Sequence, residues 1–337
     1  RTMDGCIGLS TQDSMRLYVD DKLLIDGWGK DKSADQALDF HFEAGRTYKI
    51  RIEFVNDRRG ARVIFGYSAG RENFPAAVEA ARKADVAILC MGDNEETSGE
   101  NFDRTDLNLP GRQLELVQAV YATGTPVVLV LQSGRPVTAN WENDHLPAIL
   151  EAWFPGEQGG TAIAKTLFGD AAPGGRLPIT FPRSVGQIPC HYSRRPGGGK
   201  RYVEMDWLPL YPFGYGLTYT TFAYRDMALS RSVIDPQDTV TVSVTVTNTG
   251  KYTGDAVPQL YVRDMFSSVV KPERQLAAFR RLTLAPGDSR RVELTVGPKQ
   301  LRTLGPDYVW RVEPGKFELQ LGDNAENILL RADLTVE

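Results

Sequence analysis

Residues that bind metals or form disulfides are scarce in this sequence. Three cysteines, Cys6, Cys90 and Cys190, are spread over 337 residues, and no C-x-x-C pair occurs. An odd and widely spaced set of cysteines indicates neither a disulfide framework nor a zinc site. Cys90 lies in an apolar run, where we expect it to pack as a small hydrophobic residue.

Basic patches and long apolar runs are also missing. The formal net charge is -4 and no basic stripe occurs, which argues against a nucleic-acid partner. No apolar run approaches the ~20 residues that a membrane-spanning helix needs. Residues 1–5 lack the pattern of a signal peptide and look like the middle of a β-domain. We therefore expect the chain to be part of a longer one, which leaves its compartment open.

Two common motifs of enzyme active sites are absent as well. Ser133 follows an apolar strand, but it lacks the G-x-S-x-G pattern of a nucleophile elbow, and nothing supports a triad with one of the three histidines. The glycine-rich residues 169–175 fit neither G-x-G-x-x-G nor a P-loop and are typical of a turn.

The hydrophobic periodicity changes along the chain and predicts a multidomain protein. Residues 1–68 alternate as β-strands do, with a hairpin over 14–25. Residues 69–195 alternate apolar strands with helices. Residues 196–221, rich in glycine, proline and aromatics, are predicted to form a linker packed over the surface. Residues 222–337 alternate again, which predicts a β-sandwich of the immunoglobulin or fibronectin type.

The second region is predicted to form a mostly parallel sheet covered by helices on both faces, because its strands are apolar throughout. The predicted strands are 86–91, 127–132 and 148–153, and the predicted helices are 75–84, 110–121 and 160–168. Ligands bind beyond the carboxyl ends of the strands in such sheets. The loop GDNEETSGENFDR, residues 92–104, follows the first of these buried strands and is predicted to lie there.

This acidic loop, residues 92–104, carries Glu95, Glu96, Glu100 and Asp103. A solvated surface loop would account for such a cluster, and so would a loop that brings a catalytic acid to a pocket. Its position after a buried strand favours the second interpretation. The adjacent opposite charges of Asp103 and Arg104, which could clamp the base of the loop, favour it too.

Several motifs resemble glycoside hydrolase family 3, and they occur in its order. The motifs of the second domain of that family are S-G-E-x-F-D-R at 98–104, L-x-L-P-G at 107–111, A-W-x-P-G-x-x-G-G at 152–160, P-G-G-R-L-P-x-T-F-P at 173–182 and P-L-Y-P-F-G-Y-G-L-T-Y at 209–219. Residues 271–276 and 284–288 resemble the fibronectin type III-like domain that ends many of these enzymes. Residues 16–26 resemble a PA14 domain.

The resemblance implies a partial PA14-like domain at 1–68, an α/β sandwich domain at 69–195, a linker at 196–221 and a fibronectin III-like domain at 222–337. It implies a retaining, exo-acting β-glycosidase, most simply a β-glucosidase, that needs no cofactor or metal. A β-xylosidase or related exo-glycosidase is the alternative within the family. A non-catalytic glycan-binding module is the alternative from another class. A periplasmic or secreted location is favoured, and a homo-oligomer is possible.

The resemblance also assigns roles to residues. Glu100 would be the general acid/base, with Asp103 and Arg104 orienting its loop, while an upstream β/α barrel, in the same gene or as a companion chain, supplies the nucleophile. Asn101 stands where the family commonly has glycine; asparagine tolerates the left-handed conformation, so we expect the turn to be kept. Trp28 could stack on a β-linked oligosaccharide or pack against its own domain.

Overall fold

The computed structural model describes residues 2–11, 14–29, 36–55, 63–68, 74–197 and 201–337. The chain divides into two compact units, Arg1–Lys83 and Ala84–Glu337. The domain boundary expected between residues 68 and 69 falls beside residues 69–73, which lie outside the described residues. Within the described ranges, no helix is long and apolar enough to cross a membrane.

The first unit contains two antiparallel sheets of three strands, in the orders β4-β1-β6 and β3-β2-β5. Its elements are β1 (Met3–Thr11), β2 (Met15–Val19), β3 (Lys22–Asp26), β4 (Gln36–Phe42), β5 (Ile50–Phe54), β6 (Val63–Ser68) and α1 (Pro75–Arg82). The predicted hairpin is confirmed, with Asp20 and Asp21 at φ 49° and 63° in its turn. Alternate residues of β1 and β2, such as Ile7, Leu9 and Leu17, form a small core.

The second unit begins with a three-stranded parallel sheet in the order β7-β8-β9, as the sequence predicts. Its elements are β7 (Ala87–Gly92), α2 (Gln113–Tyr121), β8 (Val127–Gln132), α3 (Asn140–His145), β9 (Ala148–Glu151) and α4 (Gly159–Leu167). Helix α3 was not predicted, because six residues with the sequence NWENDH are too short and too polar to show a helical apolar face.

The expectation that all these strands are buried holds for β8 and is wrong for β7. Val127, Leu129 and Val130 of β8 are fully buried. Ile88 remains 45% exposed and Cys90 is also exposed. These two residues share one face of an edge strand, since alternate side chains of a strand point the same way. An apolar sequence makes burial of a strand favourable, but it does not show that other residues of the same unit pack on both of its faces.

Aromatic residues of the predicted linker, residues 196–221, pack against the segment that precedes it, as their number predicts. That preceding segment contains a short 3-10 turn, Val185–Gln187. Phe181 is buried and pairs with Tyr211 in an isolated β-bridge. Tyr192 stacks on Phe213 with ring centres 4.2 Å apart. Tyr192 also contacts Tyr261 of the C-terminal domain, with ring centres 6.1 Å apart.

The C-terminal region is a β-sandwich, which confirms the predicted fold. Its main sheets have the orders β10-β12-β17 and β11-β21-β20-β14-β15. The elements are β10 (Phe222–Leu229), β11 (Val233–Ile234), β12 (Val240–Asn248), β13 (Gly254–Ala256), β14 (Gln259–Asp264), β15 (Gln275–Phe279), β16 (Leu282–Leu284), β17 (Ser289–Val296), α5 (Pro298–Leu301), β18 (Thr303–Leu304), β19 (Trp310–Arg311), β20 (Gly315–Gly322) and β21 (Ile328–Val336). Every second residue of β12 is buried, and its valines pack against Leu319 and Leu321 of β20 in one core.

Candidate active site

The acidic loop leaves β7 at a glycine. Gly92 has a φ of 141°, and a Cβ atom there would lie 2.0 Å from the carbonyl oxygen of Gln132. The side chain of Gln113, at the start of α2, accepts from Gly92 N at 2.7 Å and donates to Gly92 O at 2.8 Å. Asp93 N donates to Gln132 O at 2.9 Å. These contacts fix the start of the loop to the carboxyl ends of β7 and β8.

Asp93, the first residue after β7, is the buried centre of the loop, with only 3% of its side chain exposed. Its carboxylate accepts hydrogen bonds from Thr97 Oγ1 at 3.1 Å and from Gly134 N at 3.4 Å. It also lies 3.4 Å from Arg104 Nη1 and 3.7 Å from Arg135 Nε. One buried negative charge therefore has two guanidinium partners, which compensate the cost of removing it from water.

Arg135, three residues beyond β8, ties the acidic loop to the neighbouring strand end. Its guanidinium donates to the carbonyl oxygens of Phe102 and Thr97 and to Ser98 Oγ, each at 3.3 Å. A planar guanidinium with several donors suits this task, because it can hold three acceptors in one fixed geometry. Arg135 therefore holds the loop on both sides of Glu100, at Thr97 and Ser98 before it and at Phe102 after it.

Arg104 fixes the returning end of the loop. Besides Asp93, its guanidinium contacts Asp106 at 3.2 Å and donates to the carbonyl oxygen of Asn108 at 2.9 Å. Asp103 is exposed and makes no hydrogen bond or ion pair with the described residues. The buried acidic partner of Arg104 is thus Asp93 at the other end of the loop, and not its neighbour Asp103.

Glu100 lies at the tip of the loop, in a turn closed by a hydrogen bond from Phe102 N to Gly99 O at 3.2 Å. Asn101 has a φ of 66°, so the asparagine keeps the left-handed turn as expected. The Glu100 side chain is exposed and makes no hydrogen bond or ion pair within the part of the chain that the structure describes. A carboxyl group presented in this way can exchange a proton with a ligand.

Trp28 lies in the first unit and contacts its own domain. Its ring stacks with the guanidinium of Arg16, whose central carbon lies 4.8 Å from the ring centre. Arg16 in turn pairs with Asp26 at 3.1 Å. Trp28 nevertheless remains 41% exposed. Its role in stacking on a sugar therefore stays a prediction.

Glu151 ends β9 and brings a second buried acid to this edge of the sheet. Its Oε1 accepts a hydrogen bond from Trp153 N at 2.9 Å, whereas Oε2 is buried with no partner among the described residues. Burial raises the pKa of Glu151 to about 7; the contacts with Trp153 and Ser133 lower this pKa, and the charge of Asp93 raises it. A carboxyl with this pKa is protonated in mildly acidic solution.

Asp93, Arg135 and Glu151 were not singled out from the sequence. All three lie at the carboxyl end of a parallel strand, and the strand register pairs Gly92 with Gln132 and Leu131 with Glu151. The signal that could have found them is position: they are the first charged residues at or beyond the ends of β7, β8 and β9.

No group of three or more metal-binding side chains occurs in the described ranges. A cavity of about 450 Å³ is lined by residues between Thr180 and Phe213 and by Glu326, and no residue of the acidic loop lines it. In its lining, Arg194 contacts Glu273 at 3.1 Å and Glu326 at 2.7 Å, and Gln187 donates to the carbonyl oxygen of Trp207 at 3.0 Å. This cavity is therefore separate from the acidic loop.

Two family models match the chain. Residues 11–219 match the glycosyl hydrolase family 3 C-terminal domain, and residues 256–325 match the fibronectin type III-like domain. The first match covers more than half of the chain and contains the acidic loop, the parallel sheet and all but the last two residues of the linker.

Curated relatives carry the names of glycosidases. A β-xylosidase of Formosa agariphila is 45% identical over 302 residues, which are 86% of this chain and 42% of that protein. A periplasmic β-glucosidase of Salmonella typhimurium is 42% identical over 263 residues, which are 75% of this chain and 34% of that protein. The chain spans less than half the length of these relatives.

A solved structure has the same fold over most of the chain. A β-glucosidase from Erythrobacter marinus is 40% identical with a TM-score of 0.76, and the match covers 78% of this chain and 36% of that one. The motifs around Glu100, the parallel sheet beneath them and the sandwich that follows thus agree with the two matched domains, and the chain belongs to glycosyl hydrolase family 3.

Proposed function

We propose that this chain supplies the general acid/base, Glu100, of a retaining, exo-acting β-glycoside hydrolase. In such enzymes one carboxylate attacks the anomeric carbon while the acid protonates the leaving oxygen. The same residue then takes a proton from the water that hydrolyses the glycosyl-enzyme. The attacking aspartate would come from an upstream β/α barrel, in the same gene or as a companion chain.

The observation that carries this proposal is the contrast between Glu100 and the base of its loop. Glu100 is exposed at the tip and engages none of the described residues. The base is fixed by the buried carboxylate of Asp93 and two guanidinium groups. A purely solvated loop gains nothing from so many fixed contacts, whereas a catalytic acid must be held within a fraction of an ångström of its place.

β-Glucosidase is the favoured activity and β-xylosidase the second candidate. The Salmonella and Erythrobacter relatives are named β-glucosidases, and the Formosa relative at 45% identity is named a β-xylosidase. The two sugars differ by one hydroxymethyl group. Comparing kcat/KM for an aryl β-glucoside with that for the matching β-xyloside decides between them.

The acid/base role is tested with Glu100→Ala in a protein that also contains the proposed barrel. Hydrolysis of a disaccharide should fall ~10²–10⁴-fold, because its poor leaving group needs protonation. An aryl glycoside with a very acidic phenol should keep a fast first step and accumulate the glycosyl-enzyme. Azide, which needs no general base, should restore turnover and give a β-glycosyl azide.

Glu95→Ala and Glu96→Ala are the matched controls, because they remove carboxylates from the same loop. Neither should show rescue by azide. Rescue with Glu96→Ala and none with Glu100→Ala would move the assignment to Glu96. No hydrolysis by the intact protein on any β-glycoside, together with glycan binding, would favour the non-catalytic module.

The domain assignments are part of the same proposal. Residues 1–68 would be the PA14-like part, 69–195 the domain carrying the acid/base, 196–221 the linker and 222–337 the fibronectin III-like domain. The contact between Trp28 and Arg16 supports a structural role, and the 41% exposure of the residue leaves room for a sugar. If the ring stacks on an outer sugar residue, Trp28→Ala should weaken the binding of longer oligosaccharides and leave the binding of shorter ones unchanged.

A further inference from the structure

We propose that Asp93 is the positioning residue of the acid/base loop, acting through the guanidinium groups of Arg135 and Arg104. This inference rests on the proposed role of Glu100. It concerns how the loop is held, and neither Asp93 nor Arg135 belongs to the motifs that relate the chain to its family.

Asp93 lies at the junction of two strand ends. Its backbone N–H donates to the carbonyl oxygen of Gln132, the last residue of β8, and its carboxylate accepts from Gly134 N. The carboxylate is therefore attached to the sheet by its own main chain and by that of the neighbouring strand end. It is a rigid point, unlike an acid in the exposed part of the loop.

Asp93 also contacts residues along the length of the loop. Thr97 Oγ1 donates to its carboxylate directly, and Arg104 contacts it from the far end of the loop. A single carboxylate thus joins the beginning, the middle and the end of the acidic loop. Removing its charge releases all three together.

Arg135 connects Asp93 with the turn that carries Glu100. Arg135 Nε lies 3.7 Å from the Asp93 carboxylate, and the same guanidinium donates to Phe102 O and Ser98 Oγ on both sides of Glu100. The 22% exposed side chain of Arg135 is oriented by this buried charge. Without the charge, the guanidinium keeps its hydrogen bonds to the loop but loses its ion pair with the carboxylate that is fixed to the strand ends.

The loop is tested first in the 337-residue chain itself, independently of catalysis. Asp93→Asn keeps the size of the side chain and removes its charge. Hydrogen exchange of the Thr97, Ser98 and Phe102 amides, which donate within the loop, should become about tenfold faster. Glu95→Gln, which removes a charge from the same loop at an exposed residue, should leave these rates unchanged. Equal exchange in Asp93→Asn and the unmodified chain would overturn the proposal.

The consequence for catalysis is measured in the protein that contains the barrel. Asp93→Asn should lower kcat about 10- to 100-fold for a substrate with a poor leaving group, because a misplaced acid transfers its proton to the leaving oxygen less efficiently. It should leave the first step with a very acidic phenol nearly unchanged. Arg135→Lys keeps the charge but loses the fork of donors, and should show the same split between substrates to a smaller degree.

Two failures are distinguishable. Equal losses on both substrates, with faster exchange, would show that Asp93 does not act through the acid, and would overturn the positioning role. Absence of azide rescue in Glu100→Ala would remove the proposed acid/base while the exchange result for the loop stood. If Asp93→Asn does not fold, judged by circular dichroism, the result with Arg135→Lys decides.

Discussion

Asn101 follows the proposed acid in a left-handed conformation, with a φ of 66°. Asparagine adopts this conformation at little cost, whereas a β-branched residue there is strained by about 1–2 kcal/mol. Asn101→Gly should therefore keep the free energy of unfolding within about 0.5 kcal/mol, and Asn101→Val should lower it by about 1–2 kcal/mol. Urea denaturation of the two variants measures both. Equal stabilities would show that the turn is not conformationally restricted.

Glu151 predicts a dependence of stability on pH. Its pKa is raised from 4.5 to about 7 by burial, so between these values the folded chain binds a proton that the unfolded chain has lost. The free energy of unfolding contributed by this group therefore falls as the pH rises from about 4.5 through 7. Glu151→Gln, which imitates the protonated form, should be about 2–3 kcal/mol more stable than the unmodified chain at pH 8.

The difference in free energy of unfolding between Glu151→Gln and the unmodified chain should be smallest near pH 4. At that pH Glu151 carries a proton in both the folded and the unfolded state. Glu115→Gln is the control, because the Glu115 side chain is 57% exposed on α2 and lies 2.8 Å from Arg112 Nε. It should follow the same pH dependence as the unmodified chain. A Glu151→Gln variant that loses stability in parallel with the unmodified chain from pH 5 to 8 would contradict the assignment.

Strand β14 holds the linker through one buried side chain. Gln259 Nε2 donates to the carbonyl oxygens of Gly214, at 3.0 Å, and Asp323, at 2.6 Å, and its Oε1 accepts from the hydroxyl of Tyr261 at 2.6 Å. Gln259→Leu leaves these three groups without a partner. It should lower the free energy of unfolding by about 2–4 kcal/mol.

Gln275→Leu, on the exposed surface of β15, is the matched control and should change stability by less than about 0.5 kcal/mol. Limited proteolysis gives a second measurement, because a released linker should be cut faster near Gly214. Similar stabilities for the two variants would show that the linker does not depend on this glutamine.

The strands with a clear hydrophobic pattern were the elements that the sequence predicted best. The eight alternating residues of Thr239–Val246 and the apolar run of β8 predicted their strands because the pattern itself records burial. Helix α3 has no such pattern, and the exposed face of β7 contradicts its apolar sequence. Which face of an edge strand is covered depends on elements distant in the chain, so no local pattern reports it.

At the scale of the molecule, the candidate site was predictable where one continuous motif encodes it. The segment from Ser98 to Arg104 identified Glu100 and its turn. Asp93, Arg135 and Glu151 come from three separate segments, and only the parallel register of β7, β8 and β9 brings these segments together. A sequence shows such a network only after the order of the strands is known.

The 337-residue chain taken alone is expected to lack glycosidase activity. A retaining glycosidase needs two carboxyl groups ~5–5.5 Å apart, and the side chain of the proposed acid, Glu100, makes no hydrogen bond or ion pair with the described residues. The chain covers only 42% and 34% of the Formosa and Salmonella relatives. We therefore expect the purified 337-residue chain to leave an aryl β-glucoside unhydrolysed, while a longer version that also carries the proposed barrel turns it over. Release of the phenol by the short chain, abolished by Glu100→Ala, would show that both carboxylates lie within these 337 residues, and the nucleophile would then have to be sought among its own acids.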